Sequence, residues 1–261
     1  MKEEKRINNE LYNSSDWYSE TDPMYLLKNM VNPCRVGYFN RILTDILKVN
    51  SKDMKALEVG CGGGILTMEI ARTGFETTGI DLSSSSIIQA RMQAEINGLS
   101  INYQVGDAMH LPFEDKKFDV VFCCDVLEHL PDVNKAVAEI SRVLKNGGTF
   151  FYDTINRTIL SKLVVIKIAQ EWKRYAFMPP NLHVWKMFIK PAELKSVLFE
   201  NGFDNKDIKG MVPNVNPLKM LPILRKRAKG DINYKQLGEK VFFIESKNDF
   251  NISYMGYAVK K

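Results

Sequence analysis

Residues 57–64 read Leu-Glu-Val-Gly-Cys-Gly-Gly-Gly, and glycine occupies four of the last five positions. An apolar run, Lys55–Val59, leads into this stretch and a helical pattern, Ile65–Arg72, follows it, so the chain is predicted to pass here from a buried strand into a helix. Glycine allows a sharp turn and lets a ligand approach main-chain N–H groups without an intervening Cβ atom. A simple turn needs only one or two glycines, so the excess predicts a ligand-binding loop at the start of the helix.

The spacing of these glycines excludes two common nucleotide-binding loops. The dinucleotide fingerprint G-x-G-x-x-G would require glycine where the chain has Ile65. A P-loop would require a lysine directly after the last glycine, and none is present. The residues instead follow the pattern Glu-x-Gly-x-Gly-x-Gly, formed by Glu58, Gly60, Gly62 and Gly64.

Strands and helices alternate along the chain around this loop. Predicted strands cover 55–59, 76–80, 101–105, 118–124 and 149–153, and predicted helices cover 36–49, 65–72, 84–97 and 134–145. Further helices are predicted at 158–175 and 192–201, and two late strands near 206–211 and 253–259. Such alternation is typical of βαβ units. The predicted fold is therefore α/β, with a doubly wound, mostly parallel sheet and an added helical cap and insertion.

Composition and charge restrict the class of protein. Of 261 residues, 45% are hydrophobic and 26% are charged, as in an ordinary globular chain. Lysine and arginine exceed aspartate and glutamate by five, and residues 217–240 alone carry this whole excess. A general nucleic-acid binder would spread its positive charge over a face or groove, so nucleic acid is not the predicted partner. The four cysteines form no C-x-x-C pair and residues 1–20 lack an apolar run, which favours a reduced, cytoplasmic protein.

The Glu-x-Gly-x-Gly-x-Gly loop resembles the first motif of the class I S-adenosylmethionine (SAM) methyltransferases. This resemblance implies a seven-stranded sheet whose last strand is reversed, with SAM lying over the carboxyl ends of the first strands. Glu58, Gly60, Cys61, Gly62 and Gly64 are then expected to bind the cofactor, with Glu58 directed at its methionine amino group.

Two aspartates support this interpretation independently of the glycines. Asp81 ends the second predicted strand, where a carboxylate can accept hydrogen bonds from both ribose hydroxyls; its alternative role is the N-cap of the next helix. Asp107 ends the third strand and would face the adenine amino group, or else close an Asx turn. Their neighbours Leu82 and Ala108 complete the predicted cofactor site on these strands.

Further stretches, in their order along the chain, are similar to the ubiquinone-biosynthesis O-methyltransferases. They are Asn-Pro-Cys-Arg-Val-Gly-Tyr at 32–38, Asp-Val-Leu-Glu-His at 125–129, Asp-Thr-Ile-Asn-Arg-Thr at 153–158, Met-Pro-Pro-Asn-Leu-His at 178–183 and Phe-Ile-Lys-Pro-Ala-Glu-Leu at 188–194. That family methylates polyprenyl catechols and quinols, so the resemblance implies SAM-dependent methyl transfer to a hydroxyl of a phenolic or quinol-type small molecule. It also implies that Arg35 and Cys124 contact SAM.

The cluster Asp125, Glu128 and His129 is the predicted catalytic centre. The resemblance implies a divalent metal on these residues, and two carboxylates with one imidazole suit Mg²⁺, Mn²⁺ or Zn²⁺. Such an ion would lower the pKa of a phenol, about 10 in water, and orient the attacking oxygen. In the alternative interpretation no metal binds and His129 acts as the general base. His183 matches a family histidine on the acceptor side, where its role is either catalytic or structural.

Three regions are predicted to surround one site within a single domain. Residues 1–50 form a helical segment over the cofactor site, residues 51–155 the SAM-binding core, and residues 156–261 the acceptor side, which includes a basic insertion at 217–250. The insertion has no match in the family and could bind anionic lipid, steer an anionic acceptor or be a solvated loop. Residues 158–175 form a basic amphipathic helix, so peripheral membrane contact is predicted there or at 217–230.

Other functions remain open at this level. The chain could methylate a different small-molecule hydroxyl or amine, or RNA, although the amine-methylation motif (Asp/Asn)-Pro-Pro-(Tyr/Phe) is missing where the sequence reads Asp125-Val126-Leu127. It could also be a membrane-associated assembly factor that binds SAM without turnover. The intact glycine loop and acidic cluster favour an enzyme.

Overall fold

The computed structural model describes residues 10–261, so the first nine residues of the predicted N-terminal segment lie outside the described part. The described strands are β1 (Lys55–Val59), β2 (Glu76–Asp81), β3 (Asn102–Val105), β4 (Phe118–Cys123), β5 (Leu144–Ile155), β6 (Phe203–Pro213), β7 (Phe243–Ser246) and β8 (Ser253–Lys260). They form one mixed sheet in the order β3-β2-β1-β4-β5-β8-β6-β7. β1 to β5 run parallel, and β8 lies antiparallel between β5 and β6.

Helices connect and cover these strands. They are α1 (Leu11–Ser14), α2 (Asn32–Arg41), α3 (Ile65–Arg72), α4 (Ser84–Ile96), α5 (Val133–Val143), α6 (Ile159–Ser161), α7 (Pro191–Glu200), α8 (Pro217–Lys229) and α9 (Tyr234–Lys240). Leu27–Val31, Ile42–Ile46 and Lys162–Glu171 are π-helical, and Pro23–Tyr25, Leu127–His129 and Trp185–Met187 are 3-10 turns. α6 and the π-helical turns after it form the cap helix (residues 159–171), and residues 10–31 form the N-terminal segment. Within residues 10–261, no helix combines the length and the apolar content that crossing a bilayer requires.

The sheet has one strand more than the seven predicted. The expected reversed strand is present as β8, but β7 pairs antiparallel with β6 and extends the sheet further. β7 has four residues and is only partly buried, so it has too few alternating positions for a strand to be recognised from sequence. β5 also begins earlier than predicted, because α5 ends at Val143 and residues 144–148 form an irregular start of the strand.

Alternate residues of β4 face two different layers of helices. Val120 and Phe122 pack with residues of α2 and α3 on one face of the sheet, whereas Val121 and Cys123 pack with residues of α5 and α7 on the other. This period of two is expected for a strand that is buried on both faces. Because such a close-packed interior permits little movement, the carboxyl ends of β1, β2 and β4 are held in fixed positions.

The basic insertion folds as two helices and a strand. Met220, Leu224 and Leu237 of α8 and α9 pack in one cluster with Leu26 and Met30 of the N-terminal segment. The exposed basic side chains of α8 are Lys219, Arg225, Lys226 and Lys229. The alternative of a solvated loop is therefore wrong: the excess positive charge lies on the outer face of a helix whose inner face is apolar.

Candidate active site

Three glycines of the loop after β1 adopt backbone angles that other residues rarely accept. Gly60, Gly62 and Gly64 have φ angles of 74°, 51° and 80°. Space is limiting as well, because a Cβ atom on Gly60 would collide with Val126 and one on Gly62 would collide with the indole of Trp17. Both the conformation and the packing of the loop therefore require glycine.

The N-terminal segment covers this loop. Trp17 lies directly against Gly63, and its Nε1–H donates to Ser86 Oγ at 3.0 Å. The Tyr18 hydroxyl donates to the Gly63 carbonyl at 2.8 Å. Sequence reasoning missed Trp17, because a single tryptophan in a polar stretch carries no pattern that indicates its partner.

Asp81 ends β2 and lines a cavity beside Leu82. Its carboxylate accepts one hydrogen bond from the Gly62 N–H and one from the Ser83 N–H, both at 2.8 Å. Ser83 is the N-cap of α4 and accepts from the Ser86 N–H, so the alternative capping role of Asp81 is taken by another residue. Each carboxylate oxygen keeps a lone pair for a ligand, and burial raises the pKa of Asp81 above its ordinary value.

Asp107 closes the Asx turn considered from the sequence and also lines the cavity. Its Oδ1 accepts from the Met109 N–H at 2.8 Å, and its Oδ2 lies 3.0 Å from Nδ1 of His110. Nε2 of the same imidazole lies 2.6 Å from Lys135 Nζ. Slight burial would raise the pKa of Asp107, but the Met109 N–H and His110 outweigh it and lower the pKa. Asp107 and Ala108 line the same cavity as Asp81, so a backbone turn holds a carboxylate at the cavity wall.

Arg35 places a buried positive charge at the cavity wall. Its side chain is 2% exposed, and its Nη1 donates to Asn32 Oδ1 at 3.0 Å. Its Nη2 donates to Asp153 Oδ1 at 2.9 Å, its Nε lies 2.6 Å from Asp153 Oδ2, and its Nη2 also pairs with Asp125 Oδ2. The Asp125 N–H donates to Asp153 Oδ1 at 3.0 Å. One guanidinium thus joins α2, β5 and the turn after β4.

The acidic groups around Arg35 differ in protonation. Burial would raise the pKa of Asp125, but the adjacent Arg35 outweighs burial and lowers it. Burial raises the pKa of Asp153 to about 6 despite Arg35, and that of Glu58 to about 8 despite a hydrogen bond from Thr67. Arg35 therefore favours the ionised form of Asp125, whereas burial favours the protonated form of Glu58.

Glu128, His129 and His183 bring one potential ligand atom each to within 4.8 Å of one another. Three of their buried polar atoms, Glu128 Oε1, His129 Nδ1 and His183 Nδ1, have no hydrogen-bond partner among the described residues. Buried polar groups are normally paired, so this trio fits a divalent cation or a polar ligand. The metal ligands predicted from the sequence were Asp125, Glu128 and His129. In the structure Asp125 pairs with Arg35, and His183 lies beside Glu128 and His129 instead.

Burial determines the protonation of this trio. It lowers the pKa of His129 to about 4 and that of His183 to about 3, so both imidazoles are neutral at pH 7. Burial, followed by the charge of Asp125, raises the pKa of Glu128 to about 8. A neutral imidazole can accept a proton or bind a metal. The ring of Tyr12 lies edge-on to His129, with the centroids 6.0 Å apart.

One cavity of about 440 Å³ connects these features. The predicted site residues that line it are Arg35, Glu58, Gly60, Cys61, Asp81, Leu82, Asp107, Ala108, Cys124, Asp125, His129 and His183. Gly62, Gly64 and Glu128 lie outside this lining. Apolar side chains of the N-terminal segment, the cap helix and the insertion complete it, among them Leu27, Met30, Val165, Ile168, Met220 and Leu224. The cavity therefore combines polar strand ends with apolar surface from segments outside the parallel core.

Comparisons with known proteins agree with this architecture. A family model described as a methyltransferase domain matches residues 57–152. The ubiquinone biosynthesis O-methyltransferase of Coxiella burnetii is 34% identical over 208 residues, which cover 79% of this chain and 83% of that protein. The protein of the same name from Pelagibacter ubique is 32% identical over 207 residues, 77% of this chain and 85% of the relative.

Solved structures share the fold. A magnesium protoporphyrin IX methyltransferase from Synechocystis with bound S-adenosylhomocysteine (SAH) gives a TM-score of 0.56 at 17% identity and covers 87% of this chain and 84% of its own. A SAM-dependent methyltransferase from Methanosarcina mazei gives a TM-score of 0.56 at 20% sequence identity. The match covers 83% of this chain and 96% of the chain of that structure. At such low identity these structures support the fold alone.

A mostly parallel sheet with a cavity at its strand ends, matched by a methyltransferase family model, defines a SAM-dependent methyltransferase of class I. SAM is therefore the methyl donor, as the glycine loop predicted. Within that class, 34% identity over 79% of its length shows that this chain belongs to the family of the ubiquinone-biosynthesis O-methyltransferases.

Replacement of Asp81 by alanine is expected to weaken SAM binding at least tenfold, or about 1.4 kcal/mol, because the ribose loses its carboxylate acceptor. Titration calorimetry with SAM measures this change. Glu76→Ala, at the exposed opposite end of β2, is the matched control and should leave the Kd unaltered. An unaltered Kd for Asp81→Ala would show that the ribose hydroxyls bind elsewhere.

Arg35→Met is expected to lower the free energy of unfolding by about 3–5 kcal/mol, because it leaves the fully buried Asp153 carboxylate without a counter-charge and removes the partner of the partly exposed Asp125. Arg41 lies on the same helix, but its Nη2 pairs at the surface with Glu245 Oε2 at 2.6 Å. The side chain of Arg41 is 44% exposed. Arg41→Met should therefore cost about 0–1 kcal/mol. Urea denaturation of both variants is the measurement, and equal losses would contradict a central role for Arg35.

Proposed function

We propose that this enzyme transfers the SAM methyl group to a hydroxyl of a phenolic or quinol-type acceptor that carries an apolar substituent. The observation behind the proposal is a single cavity in which the strand-end residues, two neutral imidazoles and an extensive apolar lining meet. The names of the relatives at 34% and 32% identity, which refer to ubiquinone biosynthesis, support a quinol-type acceptor.

The reaction requires loss of a proton from the acceptor. The acceptor oxygen attacks the methyl carbon in line, a carbon–oxygen bond forms, the carbon–sulfur bond breaks, and SAH is released. Without a cation, His129 and His183 are the neutral groups on the cavity wall that can hold the departing proton. With a cation bound to them, the proton would leave to solvent water instead.

The low basicity of these imidazoles limits that step. A phenol has a pKa of about 10, whereas burial holds the pKa of His129 at about 4. A gap of about six pKa units corresponds to about 8 kcal/mol, so an unassisted proton transfer is unfavourable. A divalent cation bound beside the hydroxyl would supply the positive charge that lowers its pKa.

Glu128, His129 and His183 are proposed to hold this cation. One carboxylate with two imidazoles suits Zn²⁺, Mn²⁺ or Fe²⁺ better than Mg²⁺, which prefers oxygen ligands. Glu128 would bind as the carboxylate, since a cation favours the deprotonated ligand. In this arrangement Asp125 stays with Arg35 and orients it instead of binding the metal.

Zinc content after loading and dialysis tests the proposed ligands without reference to turnover. The wild-type protein should retain about one equivalent, and His183→Ala should retain little, because one of three protein ligands is lost. His110→Ala removes a histidine that is 65% exposed and is the matched control. Asp125→Asn separates the two ligand sets: retention of zinc supports the trio with His183, and loss supports the set with Asp125. No zinc on the wild-type protein would contradict a metal site.

Labelled-methyl transfer tests the proposed function itself. SAM is incubated with a panel of catechols and short-chain demethylated quinols, with a chelator or with added Mg²⁺, Mn²⁺ or Zn²⁺. Metal-dependent transfer to a hydroxyl supports both the acceptor and the metal. Transfer that survives chelation supports the acceptor and removes the metal, whereas SAM binding without transfer to any of these compounds would contradict the acceptor class.

The cap helix is proposed to contact a membrane surface peripherally. Ile159, Leu160 and Leu163 are 85%, 44% and 41% exposed, and Lys162 lies among them, a pattern that supports interfacial binding. Cosedimentation should be stronger with anionic than with zwitterionic vesicles and should fall when Ile159 and Leu163 are both changed to glutamate. Ile96→Glu, at an isoleucine of α4 that is 69% exposed, is the control. Equal losses for the control would show a general effect of charge.

A further inference from the structure

The insertion supplies part of the wall of the acceptor cavity. Met220 and Leu224, one turn apart on α8, both line the cavity and are 8% and 2% exposed. Phe243, at the start of β7, lines it as well. Leu218, at the beginning of the same helix, is 79% exposed. The helix that carries positive charge outwards therefore presents an apolar surface to the cavity.

Hydrogen bonds fix the insertion to its neighbours. The Tyr234 hydroxyl donates to the Phe177 carbonyl at 2.6 Å, and Asn29 Nδ2 donates to the Lys235 carbonyl at 2.8 Å. The Nζ of Lys235 also lies 2.8 Å from Glu20 Oε1. These contacts tie α9 to the N-terminal segment and to the chain that follows the cap helix. The insertion is therefore an integral wall of the cavity.

The surfaces that α8 faces are also apolar. Every residue that the ranges 23–31, 164–169 and 213–243 contribute to the lining has an apolar side chain. A polar group placed there would lose its hydrogen bonds to water without replacement, whereas methylene groups would gain from burial. Methionines such as Met30 and Met220 adapt their shape to a flexible chain. This part of the cavity therefore suits a flexible hydrocarbon chain.

We infer that α8 is the wall that selects the acceptor by its apolar chain: Met220 and Leu224 contact this chain and limit its length and bulk. The inference rests on the proposed function, since the ring hydroxyl must lie at SAM while the chain extends towards α8. None of the family-like stretches quoted from the sequence lies within residues 217–250, so the inference concerns residues outside those motifs.

The test compares Leu224→Trp with Leu218→Trp. Methyl transfer is measured for catechols that carry a methyl, hexyl or dodecyl chain, and binding of the same catechols in the presence of SAH is measured by calorimetry. The wild-type enzyme should prefer dodecylcatechol over methylcatechol by at least about tenfold in kcat/KM, since burial of each added methylene is favourable. In Leu224→Trp this preference should disappear through a higher KM for the long chain. Leu218→Trp should behave as the wild-type enzyme.

Two further measurements keep the result interpretable. The Kd for SAM confirms that each variant is folded, and Leu224→Ala, which enlarges the cavity, should shift the preference towards branched, bulkier chains. A Leu224→Trp enzyme that is folded and retains the dodecyl preference would overturn the inference, as would wild-type binding that does not depend on chain length. If the wild-type enzyme binds long-chain catechols without methylating them, and Leu224→Trp abolishes this binding, the inference stands and the proposed function fails.

Discussion

The pairing of one buried guanidinium with two carboxylates underlies the arrangement of the site. Arg35 contacts Asp153 with two of its nitrogens and also pairs with Asp125, so it holds α2, the end of β5 and the turn after β4 together. Without it, the charge of Asp153 would be buried unpaired, at a cost of several kcal/mol, and the partly exposed Asp125 would lose its partner. The same pairing engages Asp125, while one polar atom each of Glu128, His129 and His183 has no partner among the described residues.

Two kinds of segment build the cavity, and each contributes a different chemistry. The parallel strands are buried on both faces, and their carboxyl ends present Glu58, Asp81 and Asp125 at fixed positions. The cap helix and α8 contribute apolar side chains instead. The insertion shows how both properties fit one helix, since α8 buries Leu224 and exposes Lys219, Arg225, Lys226 and Lys229.

Much of the parallel core was predictable from local patterns. The bounds of β1 and α3 agree with the predicted ranges 55–59 and 65–72, because an apolar strand, a glycine loop and a helical period follow one another within twenty residues. α8, α9 and β7 were not predicted, since α8 contains Pro222 and β7 is short and only partly buried. The predicted helix at 158–175 ends early, at Glu171, where Trp172 adopts an extended backbone.

The sequence by itself determined the class of enzyme and the cofactor loop, because these depend on glycine and aspartate at fixed spacings along neighbouring elements. It also located Glu128 and His129, which are adjacent in the chain. Only the tertiary structure decided that His183 joins them, that Asp125 pairs with Arg35, and that α8 lines the cavity. These contacts connect distant parts of the chain, and their free energies depend on burial and on distances between charges, which a local pattern does not contain.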